Sequence, residues 1–125
     1  MVEFKTVKGE SLYSVEADDR KSAILQLVKD QVDLNGADLR CSVLRNTDLR
    51  GANFKGAYLL GADFSGADLE GANFSGACLN SAYFDCAIAN EVNCKGTDFS
   101  GAYLKGANFG GANFHGADLN NADLR

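Results

Sequence analysis

A single histidine, His115, occurs in the 125-residue chain, and it follows Phe114 with no candidate partner beside it. That leaves no serine–histidine pair and no H-E-x-x-H metalloprotease helix, and no G-x-x-x-x-G-K-[ST] phosphate loop is present. The four cysteines, Cys41, Cys78, Cys86 and Cys94, form no C-x-x-C pair of the kind zinc sites use. No stretch approaches the roughly eighteen apolar residues of a membrane span, and the opening MVEFKTVKGE lacks the apolar core of a secretory leader. Basic residues are too few for a nucleic-acid footprint: Lys and Arg number 12 against 17 Asp and Glu, a net charge of −5. These absences predict a non-enzymatic, cytoplasmic protein with neither metal nor cofactor, and with no direct contact to nucleic acid or membrane.

What the chain has instead is a period of five. From Leu34 to Leu124 every fifth residue is Leu or Phe at 17 of 19 sites, the exceptions being Ala89 and Cys94. Two residues before each stands Ala at 14 of 19, two after stands Gly at 12 of 18, and the residue just before is Asp or Asn at 13 of 19. The unit is A-[DN]-[LF]-x-G, as in Ala52-Asn53-Phe54-Lys55-Gly56, and it runs over residues 32–125 without an insertion. Self-similarity at a fixed period signals a solenoid. An α-helix would turn five-spaced residues by about 140° each and scatter them around the cylinder. A flat strand would send them to alternate faces. The chain must therefore turn a corner once per repeat, with the large residue always facing the axis and Gly accepting the corner dihedrals.

This motif resembles the pentapeptide-repeat family, over three quarters of the chain. The resemblance implies an all-β fold, a right-handed quadrilateral parallel β-helix with four repeats per coil and about 4–5 coils in all. At about 4.8 Å per coil the rod would be ~23 Å tall. The central residue and the Ala two before it would point inward, and the other three positions outward or into corners. Four inner columns follow, one of them Leu34, Phe54, Phe74, Cys94 and Phe114. Val92 replaces Ala beside the small Cys94 and restores volume there, whereas Ala89 has no such partner and predicts a narrowing or small void. The register keeps the cysteines apart and predicts free thiols. Most Asp occupies the motif's own outward position, which accounts for the acidity, although a phosphate-mimicking surface would have the same composition. Paired carboxylates such as Asp63 and Asp68 fall on neighbouring flat faces, and the expected convex rod offers no concave pocket.

Residues 1–31 break the repeat and are expected to form an N-terminal cap on the β-helix at 32–125, the two making a single structural domain. Val2–Val7 and Leu12–Val15 flank Lys8-Gly9-Glu10 and read as a hairpin. Asp18 and Asp19 then offer an N-cap, and Ile24, Leu27 and Val28 an apolar stripe, so a helix is expected over 19–30. Solenoids need such a lid on their first coil. At the other end Phe109, Phe114, Leu119 and Leu124 are expected to lie open, a candidate interface for a homodimer. Dimerisation of some family members through that end points the same way.

The outward positions carry the functional reading. Asp33, Asn53, Asn73, Asn93 and Asn113 form a column whose amides are expected to bond to one another along the rod. Arg40, Arg45, Arg50 and Lys55 are expected to ring the first coil and make that end basic. Tyr58, Tyr83, Ile88 and Tyr103 put apolar groups where the motif has Asp or Asn, with Tyr83 and Tyr103 stacked on adjacent coils. They are candidates for a partner-binding surface, and drift in a robust fold explains them equally well. The expected function is a rigid scaffold that binds another protein through its outer faces. The alternative, implied by the resemblance, is a DNA-mimicking binder or inhibitor of DNA gyrase, a type II topoisomerase.

Overall fold

The computed structural model describes all residues 1–125. The chain opens with strand β1 (Val2–Lys5) and strand β2 (Ser11–Val15), paired antiparallel with Phe4 opposite Tyr13. Helix α1 (Arg20–Lys29) follows. Its N-cap is Asp19, whose carboxylate accepts from the Ser22 N–H at 2.7 Å and so satisfies one of the free donors of the first turn. Ala23, Ile24, Leu27 and Val28 form the buried stripe of the helix.

From Leu34 onward no long strand forms. Single parallel bridges instead join residues twenty apart, such as Asp38 with Tyr58, Asp63 with Tyr83, Asp68 with Ile88 and Asn73 with Asn93. Four repeats therefore make one turn of a parallel β-helix. Three backbone bonds per repeat tie neighbouring turns: the Tyr58 N–H donates to Ala37 O (2.9 Å), Leu59 N–H to Cys78 O (2.8 Å) and Gly61 N–H to Asn80 O (2.9 Å).

Each corner is a four-residue turn. In all corners but Leu44–Thr47 and Ala89–Val92 the carbonyl of a central residue accepts from the N–H three residues on, as Phe64 O does from Ala67 N–H at 3.0 Å. The third residue of the turn has positive φ in every repeat from Gln31 to Asn121, the mark of a type II turn and the reason Gly dominates there. Seven corners hold another residue in that conformation, among them Ser81, Cys86 and Glu91 in succession at φ 57–60°.

The axis is filled as the register predicts. Phe54 stacks on Phe74 (5.3 Å, 8°) and Phe64 on Phe84 (5.1 Å, 21°), and the two columns meet edge to face at 5.4–5.9 Å. Where Ser or Thr replaces the inward Ala, the buried hydroxyl donates to a backbone carbonyl: Ser42 to Leu39, Thr47 to Leu44 and Thr97 to Phe74, each at 2.7 Å. Around the small Ala89, Phe109 from the next turn approaches Phe84 to 6.0 Å, with Phe99 beside both. The centres are buried as far as Leu104. Phe109, Phe114 and Leu119 are half-buried and Leu124 is 67% exposed, since no turn stacks on them.

The hairpin and helix join the first turn covalently and by contact. Thr6 bridges Ala37, the Asp38 N–H donates to Lys5 O (2.7 Å), and the Tyr13 hydroxyl donates to Asp33 O (2.7 Å). Phe4 is fully buried and continuous with the axial core, and the Arg20 guanidinium lies 4.6 Å over its ring.

Candidate functional site

One recurrent hydrogen bond sorts the outer surface. All thirteen Asp and Asn residues at the outward position accept, through Oδ1, from the N–H two residues on. Asp63 takes the Ser65 N–H (2.9 Å) and Asn113 the His115 N–H (2.9 Å). This is the Asx turn, in which a short side chain satisfies a corner donor that the backbone leaves free. The amide ladder expected along Asn53, Asn73, Asn93 and Asn113 is therefore corrected. Each Oδ1 is held by its own corner, and no amide-to-amide bond links the column.

Six outward positions lack this bond because their side chains carry no carboxylate or amide oxygen close enough to the backbone to reach the corner N–H: Val43, Tyr58, Cys78, Tyr83, Ile88 and Tyr103. All but the half-buried Cys78 are among the exposed large apolar residues. Val43, Tyr83 and Tyr103 share one column of bridges with Asp63 and Asp123, and Tyr58 and Ile88 sit on the columns to either side. The rings of Tyr83 and Tyr103 stack at 4.7 Å and 6°. Leu60, also exposed, occupies the corner between Tyr58 and Asp63. The column Asn53, Asn73, Asn93 and Asn113 carries no such residue. The turn that presents Tyr83 and Ile88 also concentrates local irregularity. Its corners use Ser81, Cys86 and Glu91 at positive φ, the Ala89–Val92 corner lacks its closing backbone bond, and the buried Asn90 Oδ1 has no partner.

The arginine ring of the first turn is largely neutralised rather than basic. Arg40 forks onto Asp38 and Arg50 onto Asp48, both through Nε and Nη2 at 2.7–2.8 Å, while Arg45 reaches Asp63 at 3.5 Å. Arg125 makes the same pair with Asp123. The guanidinium bonds pull the carboxyls of Asp48 and Asp123 down to about 2 and hold Asp38 below its usual range. Burial pushes the axial Cys94 thiol up to about 12, and no disulfide is present.

A rod without hollows was expected, and the structure corrects this. An open hollow of about 510 Å³ lies between Lys21, Leu25, Val28, Lys29 and Gln31 on the helix side and Thr47, Asp48 and Arg50 on the rod. A smaller one of about 290 Å³ follows the corner column of Arg45, Ser65 and Asp85. Sequence periodicity could not locate the first, because the angle between cap and rod has no periodic signal. No helix is long and apolar enough to cross a membrane.

A continuous parallel β-helix built from five-residue corners defines a solenoid class, and comparison with known proteins agrees. The pentapeptide-repeat family model matches in eight copies over residues 30–59, 48–85 and 90–125, so the chain belongs to the pentapeptide-repeat family. Among solved structures it is similar to HetL of the cyanobacterium Nostoc sp. strain PCC 7120, a pentapeptide repeat protein involved in heterocyst differentiation regulation. That match has 31% identity and TM-score 0.67 over 68% of this chain and 39% of HetL. It is also similar to Rfr23 of the cyanobacterium Cyanothece 51142 (26% identity, TM-score 0.63, 70% of this chain and 64% of that one). QnrB1, a plasmid-mediated fluoroquinolone resistance protein, shares the fold at 23% identity and TM-score 0.62, over 74% of this chain and 51% of QnrB1. The chain thus spans less than two thirds of the length of these structures. No curated protein matches it.

Proposed function

We propose that the protein is a non-catalytic scaffold: a right-handed, four-sided rod of about 4–5 coils, capped by its hairpin and helix, that binds another protein through its outer faces. The binding surface is the tyrosine face, with Tyr83 and Tyr103 at its centre and Tyr58 and Ile88 at its margins. One observation carries this. Every Asp or Asn at the outward position has a structural task in a corner bond. The positions that give up that bond place exposed aromatic and aliphatic groups on adjacent columns instead. Rigid, half-exposed tyrosines are favoured anchors in protein interfaces.

The test uses the motif itself. Tyr83→Asn with Tyr103→Asn should add two corner bonds and remove the aromatic patch, so the rod stays folded while its recognition surface is lost. Tagged parent and variant, matched in circular dichroism and Tm, are compared in quantitative affinity capture from a bacterial lysate. A partner retained by the parent and lost by the variant supports the reading, and identical capture sinks it.

The reading includes a homodimer through the last turn. Phe109, Phe114, Leu119 and Leu124 are half-buried or exposed there, and their N–H groups have no partner. Sedimentation at tens of micromolar should show a dimer that Leu119→Lys converts to monomer; a strictly monomeric parent would refute it. Cytoplasmic localisation belongs to the same proposal. A second reading, which the family resemblance raises, is a DNA-mimicking inhibitor of DNA gyrase, and the net charge of −5 is compatible with it. Pairing of Asp38, Asp48, Asp63 and Asp123 with arginine weighs against it. A supercoiling assay at micromolar protein separates the two, since only the mimic inhibits or protects the enzyme.

A further inference from the structure

We infer that the hollow between α1 and the first turn is a docking groove for an extended, acidic segment of a partner protein, with the pattern acidic–x–apolar–x–acidic. None of its lining residues belongs to the tyrosine face. The argument starts from the helix. Lys21, Leu25 and Lys29 stand at i, i+4 and i+8, which places them in a row about 6 Å apart along one face. An extended chain places its side chains i, i+2 and i+4 on one face at about 6.6 Å intervals. The two spacings match, so an apolar side chain can rest on Leu25, beside the edge of the largely buried Val28, while carboxylates on either side reach Lys21 and Lys29.

The opposite wall suits the same occupant. The only anion in the groove, Asp48, is gripped in a fork by Arg50, which screens it from an incoming carboxylate. No carboxylate lies within ion-pair distance of Lys21 or Lys29, unlike Arg40, Arg45 and Arg50 around the same turn. In a chain of net charge −5, this leaves a locally cationic trough with an apolar floor. Its volume of about 510 Å³ holds a few residues of peptide. Charge complementarity therefore selects an acidic segment over a neutral or basic one.

The probe is a fluorescein-labelled peptide, Ser-Glu-Ser-Leu-Ser-Glu-Ser, titrated with the full chain at low salt and read by anisotropy. Saturable binding in the range of tens to hundreds of micromolar is expected. Replacing both Glu by Gln, or making Lys21→Gln with Lys29→Gln in the protein, should each weaken it roughly 5- to 10-fold, as should 0.5 M salt. Lys95→Gln with Lys105→Gln, a charge change of equal size outside the groove, should leave it within about twofold. The Tyr83→Asn/Tyr103→Asn protein should bind the peptide like the parent, so failure of the scaffold proposal and failure of this one are distinguishable. No saturable binding, equal binding of the Gln peptide, or an effect of the Lys95/Lys105 control as large as that of Lys21/Lys29 would each overturn the groove. Competition by free glutarate or inorganic phosphate as strong as by the unlabelled peptide would overturn the peptide reading in favour of a small-anion site.

Discussion

Truncating Phe74 tests the axial packing most directly. Its side chain is 1% exposed and meets three other rings, stacked on Phe54 at 5.3 Å and edge-on to Phe64 and Phe84 at 5.4 and 5.9 Å. Phe74→Ala removes a buried ring from a closely packed axis, for which about 3–5 kcal/mol is typical. The three aromatic pairs are worth about 0.5–1.5 kcal/mol each beyond simple burial, which puts the expected loss at the upper end, about 4–5 kcal/mol. Phe74→Leu keeps most of the volume and loses only the ring contacts. Leu39, Leu59 and Leu79 already stack in a neighbouring column, so this change should cost about 1–2 kcal/mol. Urea unfolding followed by far-ultraviolet circular dichroism measures both, and an unchanged m-value would show that the rod still unfolds as one unit. The reasoning fails if Phe74→Ala lies within about 1 kcal/mol of the parent, because the ring would then not be part of a packed axis. It also fails if Leu costs as much as Ala, because volume would then not be the controlling quantity.

Phe74→Asp should yield no folded rod by circular dichroism, since it buries an unpaired charge among three rings. Glu91→Gly should stabilise the protein by up to about 1 kcal/mol in urea titrations, because it relieves a non-glycine corner at φ 60°; a loss of stability would show that the Glu91 side chain contributes more than its backbone costs. Lowering the pH should destabilise the fold between about 4 and 2. The carboxyls of Asp48 and Asp123 lie near 2 in the folded chain against 3.8 ordinarily, so their contribution is present above about pH 4 and disappears as pH falls through the folded values. A Tm that stays level or rises across that window would contradict the guanidinium pairing. Under non-denaturing conditions Cys41 and Cys86 should react with a thiol reagent well before Cys94, which is buried on the axis, and equal rates would place Cys94 elsewhere.

The five-residue period was sufficient to read the solenoid, the inward Leu and Phe columns and the stacking of Tyr83 on Tyr103. A repeat without insertions carries its register forward, and side-chain direction at each corner follows from steric rules that act within a few residues. The hairpin and helix were legible from local signals too, since Asp19 and the Ile24–Leu27–Val28 stripe act within one or two turns of chain. Tertiary structure decided what depends on distances between coils or between rod and cap. It assigned the Asn53–Asn113 column to corner bonds rather than a ladder, because each Asn Oδ1 meets the backbone N–H two residues on before it reaches another coil. It paired Arg45 with Asp63 across turns, and brought Phe84, Phe99 and Phe109 together from two turns. It also left the groove lined by Lys21 and Lys29, because Phe4, Ile24 and Leu27 join the buried core of the rod, and such packing is a property of three-dimensional fit that no one-dimensional pattern contains.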